Sequence, residues 1–452
     1  MSNYDELHAG IPLESVPRLY HDAGLVARRL GIRYLWIDSL CIIQKGDEMD
    51  DWRHESTLMD KVYSRAFCNI SAMSAPDGNH SLFNDRDPDF HQPQIVDLQT
   101  GDSTIPYLVI DEAFWDSEVS QAPINKRGWV LQEVLLSRRI LYFGESQILW
   151  DCRSHRAAEI WPPDAPLDDL TKRGHVKDLG LGCGVSHGSS DSRNAHLCWD
   201  DIVYDYTRCD ITFAGDKMVA LSAVAKEMAL VFGDEYVAGM WRRYLESGLL
   251  WHVCENRTAP SPRAAVYRAP SWSWAAADDA VFPGRPFEKG ASEILIEVED
   301  YHLDYTTKDR TGLVSGGWLR LWGVLKPIKL VPHTVATRPN DVQWEVLVDG
   351  ASNIVGTSVH FVGLDDFHAN FDDENAESAL FCMPAKLLTG LNDFLYILLL
   401  ELLDKERGIF RRIGLARGFS GEAKNRVLAR SAEESKLPCE EYRGGRHLIR
   451  VI

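Results

Sequence analysis

The sequence predicts an α/β N-terminal unit with helices on both faces of a parallel sheet, then a helical, tryptophan-rich region and a C-terminal β-rich domain. Three observations carry this. In YLWIDSLCIIQ, from Tyr34 to Gln44, a run of β-formers stops at an acid, Asp38, with Ser39 next to it. Around that run, helical and strand patterns alternate in short order, as they do in chains that fold around a parallel sheet. From Trp318 onward the pattern changes to short apolar strands with turn residues between them.

Each element follows from its spacing. Between Ser15 and Leu30, apolar residues recur at Val16, Leu19, Ala23, Val26 and Leu30, with Ser15 as the cap, Pro17 in the first turn and Gly31 as the stop. Tyr34 to Ile37 is short, nearly continuous and rich in β-formers, which favours a strand buried on both faces that delivers Asp38 to the sheet's carboxyl edge. Asp50 or Asp51 caps a second helix with Trp52, Met59, Val62, Tyr63 and Ala66 inward, and FCNISAM (67–73) reads as the next strand. ILYF and QILW read as two strands of a hairpin around Gly144 to Ser146. Trp161 to Asn194, with three prolines and Gly180, Gly182 and Gly184, reads as a linker or long surface loop. Helices are expected over Trp199–Thr207 and Asp216–Phe232, the latter with Met218, Leu221, Val224, Met228 and Val231 on one face and Gly233 ending it. WLRLWGVL, VQWEVLV, FLYILLLELL and IFRRIGLA are the C-terminal strands, interrupted by an acidic loop from Asp365 to Glu377. The expected organisation is therefore 1–155, a linker at 156–198, a helical and tryptophan-rich extension at 199–285 and a β-rich domain at 286–452.

Composition narrows the function. Acids outnumber bases 67 to 48 in 452 residues, and the net charge of −19 opposes unassisted binding to nucleic acid or anionic membrane. Nine scattered cysteines do not form a disulfide framework, and with no signal-peptide pattern or spanning run they point to a cytoplasmic chain. No metal site is expected: Cys152 with His155, and Cys183 with His187, lack paired zinc spacing. Trp272 and Trp274 offer a ligand platform or, in the plainer reading, interdomain packing of large aromatic surfaces.

The residues that carry chemistry lie in a second segment, Arg127 to Cys152 (RGWVLQEVLLSRRILYFGESQILWDC), where a short helix sets Glu133 among large apolar groups. Facing a pocket, its pKa would rise and suit it to acid, base or charge-stabilising work; facing solvent, it is an ordinary helical glutamate.

These segments together resemble the heterokaryon-incompatibility (HET) domain family of filamentous fungi. The resemblance is carried by GIPLESVPRLYHDAGLVARRLGIRYLWIDSLCIIQ from Gly10, DWRHESTLMDKVYSRAFCNISAMSA from Asp51 and the Arg127–Cys152 segment. YTRCDITFAGDKMVALSAVA, Leu249 to Trp251 and APSWSWA (269–275) look like the family's helical and tryptophan-rich extension. The resemblance implies a flavodoxin-like sheet related to the Toll/interleukin-receptor (TIR) domain. It further implies non-self recognition and cell-death signalling through protein partners or self-assembly. Some TIR relatives hydrolyse NAD with a glutamate in a W-C-x-x-E motif. WVLQE, from Trp129 to Glu133, is similar in type and spacing.

By that resemblance Glu133 is the catalytic candidate and Glu55 the alternative carboxylate, while Asp38, Ser39 and Trp129 would shape the NAD pocket. NAD would be substrate rather than cofactor, and a carboxylate would stabilise the ribosyl oxocarbenium as nicotinamide leaves. Family members usually open with a strand and turn of the form ALSYxWG, and no such sequence stands ahead of Gly10. The first strand is thus expected to be absent, leaving an opened site, an unpaired sheet edge or a binding-only remnant; a misplaced start codon would look the same. Two function classes stay open, a signalling protein of incompatibility and an NAD hydrolase.

Overall fold

The computed structural model describes residues 4–44, 47–48, 50–86, 94–101, 103–109, 114–152, 155–161, 192–254, 267–287, 292–334, 342–348, 351–352, 361–365, 379–389, 394–418, 421–430 and 432–452. They fall into two units, Met1–Ser186 and His187–Ile452. The glycine group at Gly180–Gly184, Cys183, His187 and most of the acidic loop after Asp365 lie outside the described residues.

In the first unit, helix α1 spans Arg18–Arg29. Its cap position is Pro17 rather than Ser15, whose hydroxyl donates to the Pro12 carbonyl at 2.7 Å in a preceding 3₁₀ turn. Pro17 fixes φ where no N–H is needed, so the chain can turn into the helix without a side-chain cap. Gly31 ends it at φ +71°: its N–H bonds to the Arg28 carbonyl and that of Ile32 to Ala27, the paired closure of a Schellman motif.

Four strands form the unit's main sheet: β1 (Asn69–Ala72), β4 (Arg139–Phe143), β5 (Ile148–Cys152) and β6 (His155–Ala158), in that order. Only β1 and β4 run parallel, Asn69 opposite Ile140 and Ala72 opposite Phe143; β4–β5 and β5–β6 are antiparallel. The expected parallel sheet is therefore a mixed one. Four residues join β4 to β5, far too few for a parallel crossover. Gly144 makes that turn, since a Cβ there would lie 2.9 Å from the Gln147 carbonyl oxygen.

Strand β4 has a period of two with both faces covered. Ile140 and Tyr142 join Trp115, Val119 and Leu149, while Phe143 and half-buried Leu141 join Ala23, Val26 and Leu82 beneath α1. Asp22 ties α1 down: its buried carboxylate accepts from the Ser81 hydroxyl at 2.5 Å and the Leu82 N–H at 3.2 Å. Burial raises its pKa, but these bonds, with His21 and Arg18, outweigh it and hold the group below its usual value.

Tyr34–Ile37 departs from expectation. The backbone is extended at Ile37, but it pairs with no strand among the described residues, and Tyr34 is 82% exposed. β-Forming side chains are not enough, because a strand also needs a ladder partner and a covered face. A hairpin that the sequence reading does not anticipate, β2 (Gln94–Thr100) with β3 (Ser103–Val109), precedes the segment that covers β4.

In the second unit, helix α6 (Ser192–Tyr206) starts earlier than its apolar pattern, and α7 (Val219–Phe232) follows a 3₁₀ turn at Ala214–Lys217. Met218, Leu221, Val224 and Met228 are buried as expected, and Gly233 closes α7 in the left-handed region. Trp272 and Trp274 are buried in this unit's own core; the Trp274 indole donates to the Gly239 carbonyl at 2.7 Å. A twelve-stranded sheet contains the principal strands β7 (Glu297–Tyr305), β8 (Val314–Gly323), β9 (Lys326–Thr334), β10 (Val342–Val348), β11 (Leu380–Leu388), β12 (Phe394–Asp404), β13 (Ile409–Gly418) and β14 (Arg446–Val451). Leu395, Ile397 and Leu399 of β12 face one core, while Leu398 and Leu400 are buried on the opposite face, so its apolar run needs no alternation.

Candidate functional site

The site is assembled from four helices and the chain before one of them. Helix α2 (Asp38–Cys41) follows the extended run, α3 (Asp50–Ser56) and α4 (Met59–Arg65) follow it in sequence, and α5 is Gly128–Leu136. The break at Thr57–Leu58 splits the single expected helix, the Thr57 hydroxyl donating to the His54 carbonyl at 2.7 Å and drawing the turn out of α geometry. Helix α4 packs on α5 and turns Tyr63 inward.

Tyr63 is the residue that sequence reading assigned only to the core. Its hydroxyl makes a hydrogen bond to the Glu133 carboxyl, and its ring meets Trp36 edge-on at 5.8 Å. A buried tyrosine needs a polar partner for its hydroxyl, and that requirement was the available signal. Four residues before Glu133 on the same helical face, Trp129 stands edge-on to Trp52 at 6.0 Å. Trp129 thus packs against α3 and is half-buried.

Burial raises the pKa of Glu133; the hydrogen bond from Tyr63 lowers it, the charge of Asp38 raises it and Arg127 lowers it. The balance pushes the carboxyl up to about 7, so protonated and ionised forms are both present near neutrality. Burial, and the negative charges of Glu133 and Asp38, also push the Tyr63 phenol well above its usual range, so it stays a donor.

Asp38 therefore converges electrostatically on Glu133, although it arrives on a helix start rather than a sheet edge. Its carboxylate accepts from the Ser39 N–H at 2.7 Å, and the Ser39 hydroxyl hydrogen-bonds Tyr20 of α1 at 2.8 Å. Both Asp38 and Ser39 are exposed, forming an accessible acidic rim beside the partly buried Glu133. Glu55 lies half-buried on α3, outside the groups that act on the Glu133 pKa. Cys152 donates to its neighbour's backbone, the His155 carbonyl, and among the described residues no group of three candidate ligands could hold a metal.

Residues 2–133 match the family model described as Heterokaryon incompatibility protein (HET). This segment is a HET domain. It includes Asp38, Ser39, Glu55, Tyr63 and Trp129, and its match ends on Glu133. No curated protein and no solved structure matches the chain. Among the described residues no helix is long and apolar enough to cross a membrane. The HET domain thus brings together a protonatable carboxyl, a phenolic donor and an exposed acid.

Proposed function

We propose that the chain is a heterokaryon-incompatibility-type protein acting in fungal non-self recognition and cell-death signalling, and that its HET domain hydrolyses NAD. The observation that carries the enzymatic reading is the Glu133 carboxyl, held by Tyr63 and raised to about 7. A helical glutamate in open solvent would have neither property.

In this reading Asp38 and Ser39 hold the ribose hydroxyls and Trp129 packs beside the nicotinamide ring. The bond from ribose C1′ to the pyridinium nitrogen breaks, its electron pair leaving with nicotinamide. The Glu133 carboxylate stabilises the cation at C1′, water adds there, and the water's proton passes through Glu133 to solvent. The products are nicotinamide and ADP-ribose. Signalling proceeds through protein partners or self-assembly in the cytoplasm, with NAD as substrate and no resident cofactor.

The test is nicotinamide release by purified full-length protein, at high concentration or with a crowding agent, beside Glu133→Gln and Glu55→Gln. Loss of release in Glu133→Gln with retention in Glu55→Gln is the expected result. Equal release by wild type and Glu133→Gln removes the catalytic assignment and leaves the signalling reading alone.

A further inference from the structure

The β2–β3 hairpin of the first unit takes no part in the Glu133 site, and every described side chain in its two strands is exposed. Register sorts those side chains into two faces. Val96 stands opposite Tyr107 and Leu98 opposite Ile105, so these four share a face, with Val109 next to Tyr107 along it. Each of the five is 40–51% exposed. The other face carries Ile95, Asp97, Gln99, Thr104 and Pro106.

This alternation belongs to an antiparallel sheet that packs one face and leaves the other in water. Here the apolar face is uncovered. A two-stranded hairpin is marginal in water without a further layer, so covering that face stabilises it. Two seven-residue strands span about 24 Å by 10 Å. That is well short of the roughly 800 Å² per partner of a standard interface, so the contact it supports is transient.

Charge and edge chemistry select the cover. Copies of a chain with a net charge of −19 repel one another. The two strands hold a single charge, Asp97, and it lies on the opposite face, so two copies can meet on the apolar face without bringing acids together. A basic partner finds no acid there to pair with. Asp97 stands opposite Pro106 at the middle of the hairpin, and an acid and a proline on edge strands resist the addition of further strands. Packing face to face about a twofold axis matches the apolar face to itself and avoids both edges. We infer that the protein self-associates through this face, with Val96, Leu98, Ile105, Tyr107 and Val109 packing on the same residues of a second copy. The contact gives a surface to the self-assembly in the proposed signalling role, rests on that part of the reading and needs no NAD turnover.

Sedimentation velocity of the full-length protein over a dilution series tests this, with hydrogen exchange of residues 94–109 at each concentration. Wild type is expected to pass reversibly from monomer to dimer as concentration rises, the hairpin gaining protection in step. Added salt should tighten the dimer by screening the net charge. Leu98→Glu and Tyr107→Glu each put a charge on the apolar face and should weaken the dimer at least about tenfold. Gln99→Glu adds the same charge on the other face and should change the affinity by less than about threefold. All three positions are exposed in the single chain, so folding is expected to survive. Glu133→Gln should dimerise as wild type does, so a failed contact and a failed NAD hydrolysis are read apart. A chain that stays monomeric throughout overturns the inference and leaves the face to a different protein. So does a dimer that salt weakens, or one that Leu98→Glu leaves unchanged or Gln99→Glu weakens equally. A hairpin already protected where the chain is monomeric also overturns it, because the chain itself would then cover the face.

Discussion

Replacing Glu133 with glutamine tests the electrostatics of the site without reference to any substrate. Native Glu133 takes up its proton at about 7, against an ordinary value of 4.5 in the unfolded chain. Between those two values the native state holds more protons than the unfolded state, so stability falls as pH rises through this window and levels off above it. At about 1.4 kcal/mol per pH unit the whole window amounts to roughly 3 kcal/mol, and solvent reaching part of the side chain trims this to about 1–3 kcal/mol. Glutamine stays neutral throughout and can still accept from the Tyr63 hydroxyl. The free-energy difference, variant minus wild type, should therefore climb by about 1–3 kcal/mol from pH 4.5 to pH 8. Groups that titrate alike in both proteins cancel from it. Urea-dependent hydrogen exchange of peptides from α5 and β4 measures this locally, without requiring the two units to unfold together. A difference that stays flat across that range would show that Glu133 titrates as it does in the unfolded chain, and the reasoning about the site would fall with it.

The same pKa governs turnover if the ionised form works. Nicotinamide release should rise about tenfold per pH unit below neutrality and level off above about 7, and Tyr63→Phe, which removes a bond that lowers the Glu133 pKa, should move the midpoint to higher pH. A falling profile over the same range would make Glu133 a proton donor instead. Asp22→Ala leaves the Leu82 N–H and Ser81 hydroxyl without their acceptor and should destabilise the first unit by about 1–3 kcal/mol at pH 7, read by hydrogen exchange in α1. In the wild type the contribution of Asp22 persists above its unfolded pKa and is lost as pH falls through its lowered native value. Arg412 is 1% exposed, lies 3.5 Å over the Trp251 ring and pairs with Asp365 at 3.1 Å. Asp365→Ala should cost roughly 3–5 kcal/mol in the second unit by stranding that buried charge, measured by urea unfolding, with Arg412→Met in the same background recovering part of it.

Legibility followed the number of constraints acting on each residue. Strands β12 and β13 could be read directly because FLYILLLELL and IFRRIGLA are buried on both faces, and α7 could because periodicity and Gly233 agree. Strand β11 is absent from the sequence reading; Pro384 and Lys386 interrupt its apolar pattern, and the structure absorbs them with a register shift between those two residues. The opposite failure occurred at Tyr34–Ile37, where strong β-formers have no described ladder partner. A one-dimensional pattern records propensity but not whether a neighbour is present to pair.

Asp38 and Glu133 entered the candidate site through the family resemblance, since Glu133 by its spacing alone reads equally as an ordinary helical glutamate. Tyr63 did not, and the reason is instructive. Its ring satisfies a helical core position so well that nothing in the spacing calls for a second role, and its hydroxyl partner lies 70 residues away on α5. Only the packing of α4 on α5 brings phenol and carboxyl together, so the property that makes Glu133 unusual is tertiary. This also bears on which substitutions can separate stability from function. Removing the charge of Glu133 relieves a buried ion and should strengthen the unit above neutral pH while abolishing the proposed turnover, whereas removing the Tyr63 hydroxyl should leave turnover possible and shift only its pH dependence. A single structural role for the pair would move both readouts in the same direction.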